Sequence, residues 1–384
     1  MDPAAPVSPG AAPDAAARSV GLRRLRAEVR EFIAEQQPAL RVVAHCDSWM
    51  SSFSAEFSRA LGRRGWIGMT WPERYGGGGR SQQERLAVSE ELLVAGAPVA
   101  AHWFADRQVG PALLKHGTED QRLRYLPAIT RGECFFAIGM SEPDSGSDLA
   151  SVRTRARRTP AGWQLSGTKV WTSHAHRAHY LLALARTSPG TSRAGLSQFI
   201  VDLRDPAVLI RPIRSLDEQH HFNEVVLDDV QVAEGALLGA EGSGWAQVTA
   251  ELAHERGGPE RFLSTAPLLL ELMRRRAPAA DAEIGELAAE LQALRTLSVQ
   301  IADALQRGED PVIQAALVKD LGTRFEGRVV DAARLLHPAE PDPESADDLT
   351  RLLAEAVLHG PDATLRGGTS EILRGIVARS LVSP

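Results

Sequence analysis

The hydrophobic pattern of this chain changes period twice, and that limits its architecture more than any single residue does. From Val20 to Gln37 the apolar residues Leu22, Leu25, Val29, Phe32 and Ile33 recur at helical spacing and describe one face. Ser81 with Glu84, and Thr118 with Gln121, stand at capping-box spacing ahead of further apolar runs. After Gly139 the pattern shortens. Trp163, Leu165, Val170 and Trp171 flank Gly167, and Tyr180 to Ala185, Gln198 to Leu203 and Glu224 to Val232 are short β-type runs between turn formers. From about Gly244 the helical period returns, in Leu287, Leu291, Leu294 and Leu297 and again in Phe325, Val329, Val330 and Ala333. The expected class is α+β: a disordered Ala/Pro leader over 1–17, a helical domain over 18–136, a small antiparallel barrel or sandwich over 137–240, and a helix bundle over 241–384, interrupted by a Pro-rich loop from His337 to Glu344.

The 384 residues exceed the usual size of one core, which fits several packed units. A net charge of −6 with 24% charged residues gives no basic stripe of the kind nucleic-acid binding needs. Cys46 and Cys134 are far apart and form no CxxC pair, which argues against a disulfide framework or a thiolate metal site and fits a reducing cytoplasm. No stretch has signal-peptide character or the length of a membrane span, so a soluble, unexported protein is expected.

Chemistry-bearing residues concentrate in a few places. Glu142-Pro143-Asp144-Ser145-Gly146-Ser147-Asp148 is a loop dense in turn formers and hydroxyl donors, a composition that most often only connects. Trp171 reads as a buried strand aromatic. His174, His176 and His179 form an HxHxxH run, but no carboxylate or cysteine is tied to them by ligand spacing, and a solvated loop is the plainer reading. Gly76 to Gly79 lack the strand-to-helix setting of a dinucleotide fingerprint and read as a flexible bend.

Two segments change this picture together. Ile138-Gly139-Met140-Ser141-Glu142-Pro143-Asp144-Ser145-Gly146-Ser147-Asp148, followed some twenty residues later by Gly167-Thr168-Lys169-Val170-Trp171-Thr172-Ser173, resembles the flavin-cradling segments of the acyl-CoA dehydrogenase family. The order of elements agrees with that family from about residue 20 onward. The resemblance implies a helical N-terminal domain, a middle antiparallel β-barrel, a C-terminal four-helix bundle and FAD. It places Ile138, Met140 and Ser141 along the isoalloxazine ring, Gly146 and Ser147 near the pyrophosphate and the incoming acyl-CoA, Trp171 over the ring face, and Ser173 at the N5 side. Thr369 and Glu371 match flavin-contacting positions. His174 stands where relatives often have Asn.

The same resemblance implies α,β-dehydrogenation of an acyl-CoA thioester to the trans-2-enoyl-CoA, with a carboxylate taking the α proton and flavin N5 taking the β hydride. The usual base is the glutamate of a late Tyr-Glu-Gly-Thr motif, and here Leu365-Arg366-Gly367-Gly368-Thr369 puts Gly367 in its place. Members resembling isovaleryl- and long-chain acyl-CoA dehydrogenases carry the base in an earlier Glu-Arg pair, which this chain matches at Glu255-Arg256. Glu255 is therefore the candidate base, with Glu251 one turn away in reserve, Arg256 shaping the substrate region, and the Gly367 N–H donating to the thioester carbonyl.

Two family elements that reach FAD across a subunit interface are replaced by Arg274-Arg275-Arg276-Ala277-Pro278 and by Asp331 to His337. A homo-oligomer, or a hetero-oligomer with a homologous chain, is expected, with electrons passing to an electron-transfer flavoprotein. Two alternatives stay open: a carrier-protein-bound acyl substrate, and a non-catalytic subunit of a heteromeric enzyme.

Overall fold

The computed structural model describes residues 15–40, 43–190, 193–275, 280–338 and 340–382, without the side chains of 15–17, 39–40 and 252–255. Helices α1 (Ala15–Leu40), α2 (Ser48–Ser51), α3 (Ala55–Arg63), α4 (Gln82–Val94), α5 (Ala100–Phe104), α6 (Gly110–His116) and α7 (Glu119–Thr130) come first. Leu25, Val29, Phe32 and Ile33 of α1 are buried, and the helix packs on α4. α1 starts inside the expected leader, at Ala15, because Ala15 to Ala17 are the strongest helix formers and extend the first turn at little cost; residues 1–14 lie outside the described residues.

Both capping boxes form. The Ser81 hydroxyl accepts from Glu84 N at 3.2 Å while the Glu84 carboxylate accepts from Ser81 N at 2.9 Å, and Thr118 and Gln121 repeat the exchange at 3.2 and 3.0 Å. The run Gly76 to Gly79 is a packing device rather than a loose bend. A Cβ on Gly77 would lie 2.3 Å from the Trp71 carbonyl oxygen, and one on Gly76 would lie 2.6 Å from Thr130 Oγ1.

The middle of the chain forms one eight-stranded sheet from β1 (Phe136–Gly139), β2 (Arg155–Thr159), β3 (Gly162–Lys169), β4 (Tyr180–Arg186), β5 (Leu196–Asp202), β6 (Val208–Ile213), β7 (Phe222–Val232) and β8 (Leu237–Leu238). The order is β6-β7-β3-β2-β4-β5-β8, with β1 beside β4. Most pairs are antiparallel; β1 with β4 and β2 with β4 run parallel. Trp163, Leu165, Phe199, Val225 and Val230 fill the interior of the sheet domain. β3 ends at Lys169, so Val170 and Trp171 leave the strand.

The C-terminal helices are α8 (Gly244–Arg256), α9 (Ala266–Arg275), α10 (Asp281–Gln306), α11 (Val312–Leu336), α12 (Asp348–Ala363) and α13 (Ser370–Val382). Leu287 and Leu294 of α10 and Phe325, Val329 and Ala333 of α11 are buried where those two helices pack. One apolar core joins the N- and C-terminal helices, through residues such as Phe57, Trp103, Phe262, Phe325 and Leu353, and touches the sheet at Phe136, Leu182 and Phe222. Cys46 and Cys134 are buried free thiols, and burial pushes the Cys134 thiol up to about 12. Among the described residues no helix is long and apolar enough to cross a membrane.

The loop between β6 and β7 is tied to α12 by His359, whose Nε2–H donates to Asp217 Oδ2 at 2.8 Å. Burial opposes a charge on His359, but the hydrogen bond to Asp217 and the nearby Asp47 carboxylate outweigh it and hold the imidazole above its ordinary value of 6.5. The stabilisation is therefore complete below pH 6.5 and is lost as pH rises through the folded value. Melting temperature measured from pH 6 to 8.5 is expected to fall more steeply for the native chain than for His359→Gln.

Candidate functional site

The motif loop after β1 is built around one buried ion pair. Glu142 accepts from Arg153 N at 2.6 Å, from Thr154 N at 2.9 Å and from Lys169 Nζ at 2.8 Å, and the two charged side chains are 6% and 0% exposed. Burial disfavours the charge on Glu142, but Lys169 and the donated hydrogen bonds more than offset it and hold the carboxyl below its usual range. Burial pushes the Lys169 ammonium down to about 8, with Glu142 opposing. Lys169 Nζ also donates to Met140 O at 3.2 Å, and Val170 N donates to Ser141 O at 3.0 Å. The end of β3 is thus pinned against the loop, which brings Met140 and Ser141 beside the approach to Trp171.

Within that loop Glu142 and Ser145 exchange backbone hydrogen bonds, and Gly146 and Ser147 are exposed at its tip, with open space where a Gly146 Cβ would stand. Ile138 is half-buried against the main core, and Met140 packs with Val152, Leu184 and Val248. Trp171 is not a buried strand aromatic: it stands in a left-handed turn at φ 58, is 58% exposed, and meets Phe222 edge-on at 5.7 Å. Ser173 Oγ reaches Met50 Sδ at 3.6 Å, and His174 Nε2–H donates to Met50 O at 2.7 Å, which fixes the tautomer. Burial pushes His174 down to about 3 and leaves it neutral.

The histidines of the HxHxxH run are spoken for separately: His176 Nδ1 bonds Asn223 Oδ1 at 3.0 Å and His179 Nδ1 accepts from Phe135 N at 3.0 Å. Among the described residues no group of three or more His, Cys, Asp or Glu is placed to hold a metal ion.

The Gly367-Gly368 turn before α13 has both residues at positive φ, 68 and 103. Three arginines surround it. Arg256 Nε donates to Gly367 O at 2.9 Å; Arg261 lies where a Gly367 side chain would project, 3.0 Å from an added Cβ; and Arg366 forms an ion pair with Asp47 and donates to Ser264 Oγ at 3.2 Å. Arg261 and Arg366 also lie against the Trp49 ring, 5.0 and 4.9 Å from its centroid. The Gly367 N–H has no acceptor among the described residues.

Asp47 precedes α2 and Met50 lies within it, so one short segment touches Arg366, next to Gly367, and the post-β3 loop through Ser173 and His174. The post-β3 loop and the Gly367 turn are thereby tied to the same short segment. Glu255 is on the last turn of α8, one residue before Arg256, and its side chain lies outside the described residues. Glu251 is buried against β5, where Gln198 Nε2 approaches it at 3.5 Å. Thr369 Oγ1 accepts from Ile372 N at 3.4 Å, and Glu371 is an exposed residue in the first turn of α13, its carboxyl held below the usual range by its own N–H and by Thr369.

The matches to known proteins follow this geometry along the whole chain. Residues 21–133, 137–230 and 242–382 match the acyl-CoA dehydrogenase N-terminal, middle and C-terminal domains. The chain belongs to the acyl-CoA dehydrogenase family. It is 34% identical to Acyl-CoA dehydrogenase FadE29 of Mycobacterium tuberculosis, over 93% of this chain and 95% of that one, and 32% identical to Acyl-CoA dehydrogenase IpdE1 of Mycolicibacterium smegmatis, over 94% and 98%. Among solved structures it resembles the Tcur3481-Tcur3483 steroid ACAD with a TM-score of 0.82 at 28% identity, covering 95% of this chain and 98% of that one, and the ChsE4-ChsE5 complex from Mycobacterium tuberculosis with 0.81 at 27%, covering 95% and 98%.

Members of this family are flavoproteins, FAD being typical, and the cradle of this acyl-CoA dehydrogenase fits one. Trp171 is largely exposed two residues before Ser173, the neighbouring Thr172 Oγ1 is buried with no hydrogen-bond partner, and Gly146 has open space where a side chain would stand. Asp47, Trp49, Met50, Arg261 and Ser264 were invisible to sequence reasoning, because they join the site only through tertiary contacts and carry no local spacing signal.

Two consequences can be measured. Glu142→Gln leaves Lys169 buried without its counter-charge and is expected to lower the unfolding free energy by about 3–5 kcal/mol in chemical denaturation, whereas Glu142→Leu combined with Lys169→Met costs less than the sum of the two single changes. Gly367→Ala forces a left-handed conformation against the Arg261 guanidinium, with an expected loss of about 1–2 kcal/mol in the same assay.

Proposed function

We propose that this acyl-CoA dehydrogenase converts a saturated acyl-CoA thioester to its trans-2-enoyl product with Glu255 as the base. Glu255 removes the α proton, which ends on its carboxylate; the Gly367 N–H donates to the thioester carbonyl oxygen as negative charge develops there; and Arg256 fixes the turn that presents that donor through its bond to Gly367 O. Bound FAD, held by Ser141, Ser147, Trp171, Ser173 and Thr369, supplies the acceptor for the β hydride, and an electron-transfer flavoprotein is the natural reoxidant. The residues themselves bind, orient and exclude water.

The observation that supports this reading is the Asp47–Met50 segment, which contacts Ser173 and His174 after β3 and, through Arg366, the residue before Gly367. Support for moving the base comes from position 367 itself, where the backbone is left-handed and an added Cβ would stand 3.0 Å from the Arg261 guanidinium.

A second reading is favoured by a specific observation. Two structural neighbours are described as pairs, ChsE4-ChsE5 and Tcur3481-Tcur3483, and Asp331 to His337 replaces a family element that reaches across subunits. We infer that a homologous second chain completes the adenine end of the cofactor site.

Glu255→Gln is expected to slow anaerobic bleaching of the flavin by a saturated acyl-CoA about 10²–10⁴-fold. Unchanged bleaching removes Glu255 as the base, and full flavin occupancy with turnover by the purified chain alone removes the need for a second subunit.

A further inference from the structure

A second group of buried charges lies behind α8. Arg85 on α4 and Arg107 in the π-turn Ala105–Val109, which links α5 to α6, are side by side: Arg107 Nη2 donates to Ser89 Oγ at 2.6 Å, and that hydroxyl donates to Arg85 O at 2.6 Å. The Nε atoms of both arginines are buried without a hydrogen-bond partner. Arg107 Nε lies 3.1 Å from Asp106 Oδ2, outside hydrogen-bond geometry, and Asp106 Oδ1 is occupied by Gly68 N at 2.8 Å. Among the described residues Arg85 makes no side-chain hydrogen bond or ion pair. Burial pushes its guanidinium down to about 10, and Arg107 adds repulsion.

The remaining nearby carboxylate, Glu260, is folded over Gly258, and its Oε2 is likewise without a partner. His102 cannot supply a charge: its Nδ1 bonds Ser58 Oγ at 2.8 Å, and burial lowers it to about 4. Both arginines are half-buried and Arg107 also lies over the Trp103 ring at 4.6 Å, so what stays unmatched is the buried Nε–H of each, a costly arrangement that calls for a partner. A π-turn is itself a helix irregularity that recurs at functional sites.

The location of the pair gives it meaning. The π-turn packs on α8, which carries Glu255, and α4 packs on the 3-10 turn Pro259–Arg261 that follows the Glu255-Arg256 pair. We propose that Arg85 and Arg107 form a receptor for an oxygen at the far end of the acyl group, so that the substrate class is an acyl thioester bearing a distal carboxylate or ketone rather than a plain alkyl chain. This rests on the dehydrogenase reading for the orientation of the thioester. An oxygen acceptor set between the two guanidiniums would take the unmatched N–H groups and relieve their mutual repulsion.

The test compares three CoA thioesters of equal carbon count, ending in methyl, in a carboxylate and in a methyl ketone. With the native chain, kcat/KM for at least one oxygenated thioester is expected to exceed that of the alkyl thioester at least tenfold, and the better of the two identifies the group recognised. Arg85→Met and Arg107→Met are each expected to reduce that ratio at least tenfold. Equal or better use of the alkyl thioester by the native chain, or a ratio unchanged in both variants, overturns the receptor and leaves the dehydrogenase reading standing. Thermal stabilisation of the native chain by the same thioesters is read in parallel. Stabilisation by the oxygenated pair without any flavin bleaching keeps the receptor and removes the dehydrogenase reading, and neither stabilisation nor bleaching removes both.

Discussion

The site hangs on a buried knot of charge around Ser264. Its N–H donates to Glu326 at 2.8 Å, its carbonyl accepts from Asp47 N at 2.8 Å, and its hydroxyl accepts from Trp49 Nε1 at 3.0 Å and from Arg366. The Asp47–Arg366 ion pair closes the ring between an N-terminal segment and the turn before α13. Apart from Asp47 Oδ1, which is buried without a partner, these charges meet fixed partners, so the knot stabilises one relative placement of the two regions more than it stabilises the fold as such. The carbonyl of Gly367, held by Arg256 from the other side, inherits that placement.

A comparable device governs the sheet side. A loop of Gly, Ser, Asp and Pro has little apolar surface with which to order itself, and Glu142 does that work from inside by accepting two backbone N–H groups and the Lys169 ammonium. The loop tip stays exposed while its base is rigid, which suits a surface that must meet a ligand without collapsing onto itself.

Much of the architecture was legible because periodicity reports which face is buried. The stripe on α1, both capping boxes, and β3, β4, β5 and β7 are all local signals. β2 was missed because Arg155-Ala156-Arg157-Arg158-Thr159 exposes charged side chains, and β8 because two residues carry no pattern. The glycine run was misjudged because tight packing against Trp71 and Thr130 leaves no trace in the segment itself. For the candidate site, the resemblance singles out the motif residues, and Arg256 with them. The role of Arg261 could not, since nothing in Glu260-Arg261-Phe262 says that this guanidinium will fill the space beside a glycine 106 positions later. Likewise, the Trp171 run looked like the end of a strand, and only the left-handed turn at that residue brings its ring into the open.

The π-turn at Ala105–Val109 has a consequence of its own. A five-residue turn is equivalent to one residue slipped into a continuous α-helix, with Gly110 N reaching back to Ala105 O. Deleting one residue there would let the helix run on unbroken, yet it would rotate the flanking halves by about 100° relative to each other. Trp103 and Leu113, both buried now, could not both stay inward. The register of that helix is therefore locked by the cores at its two ends, and neutral drift in length is closed to this stretch even though substitutions are not.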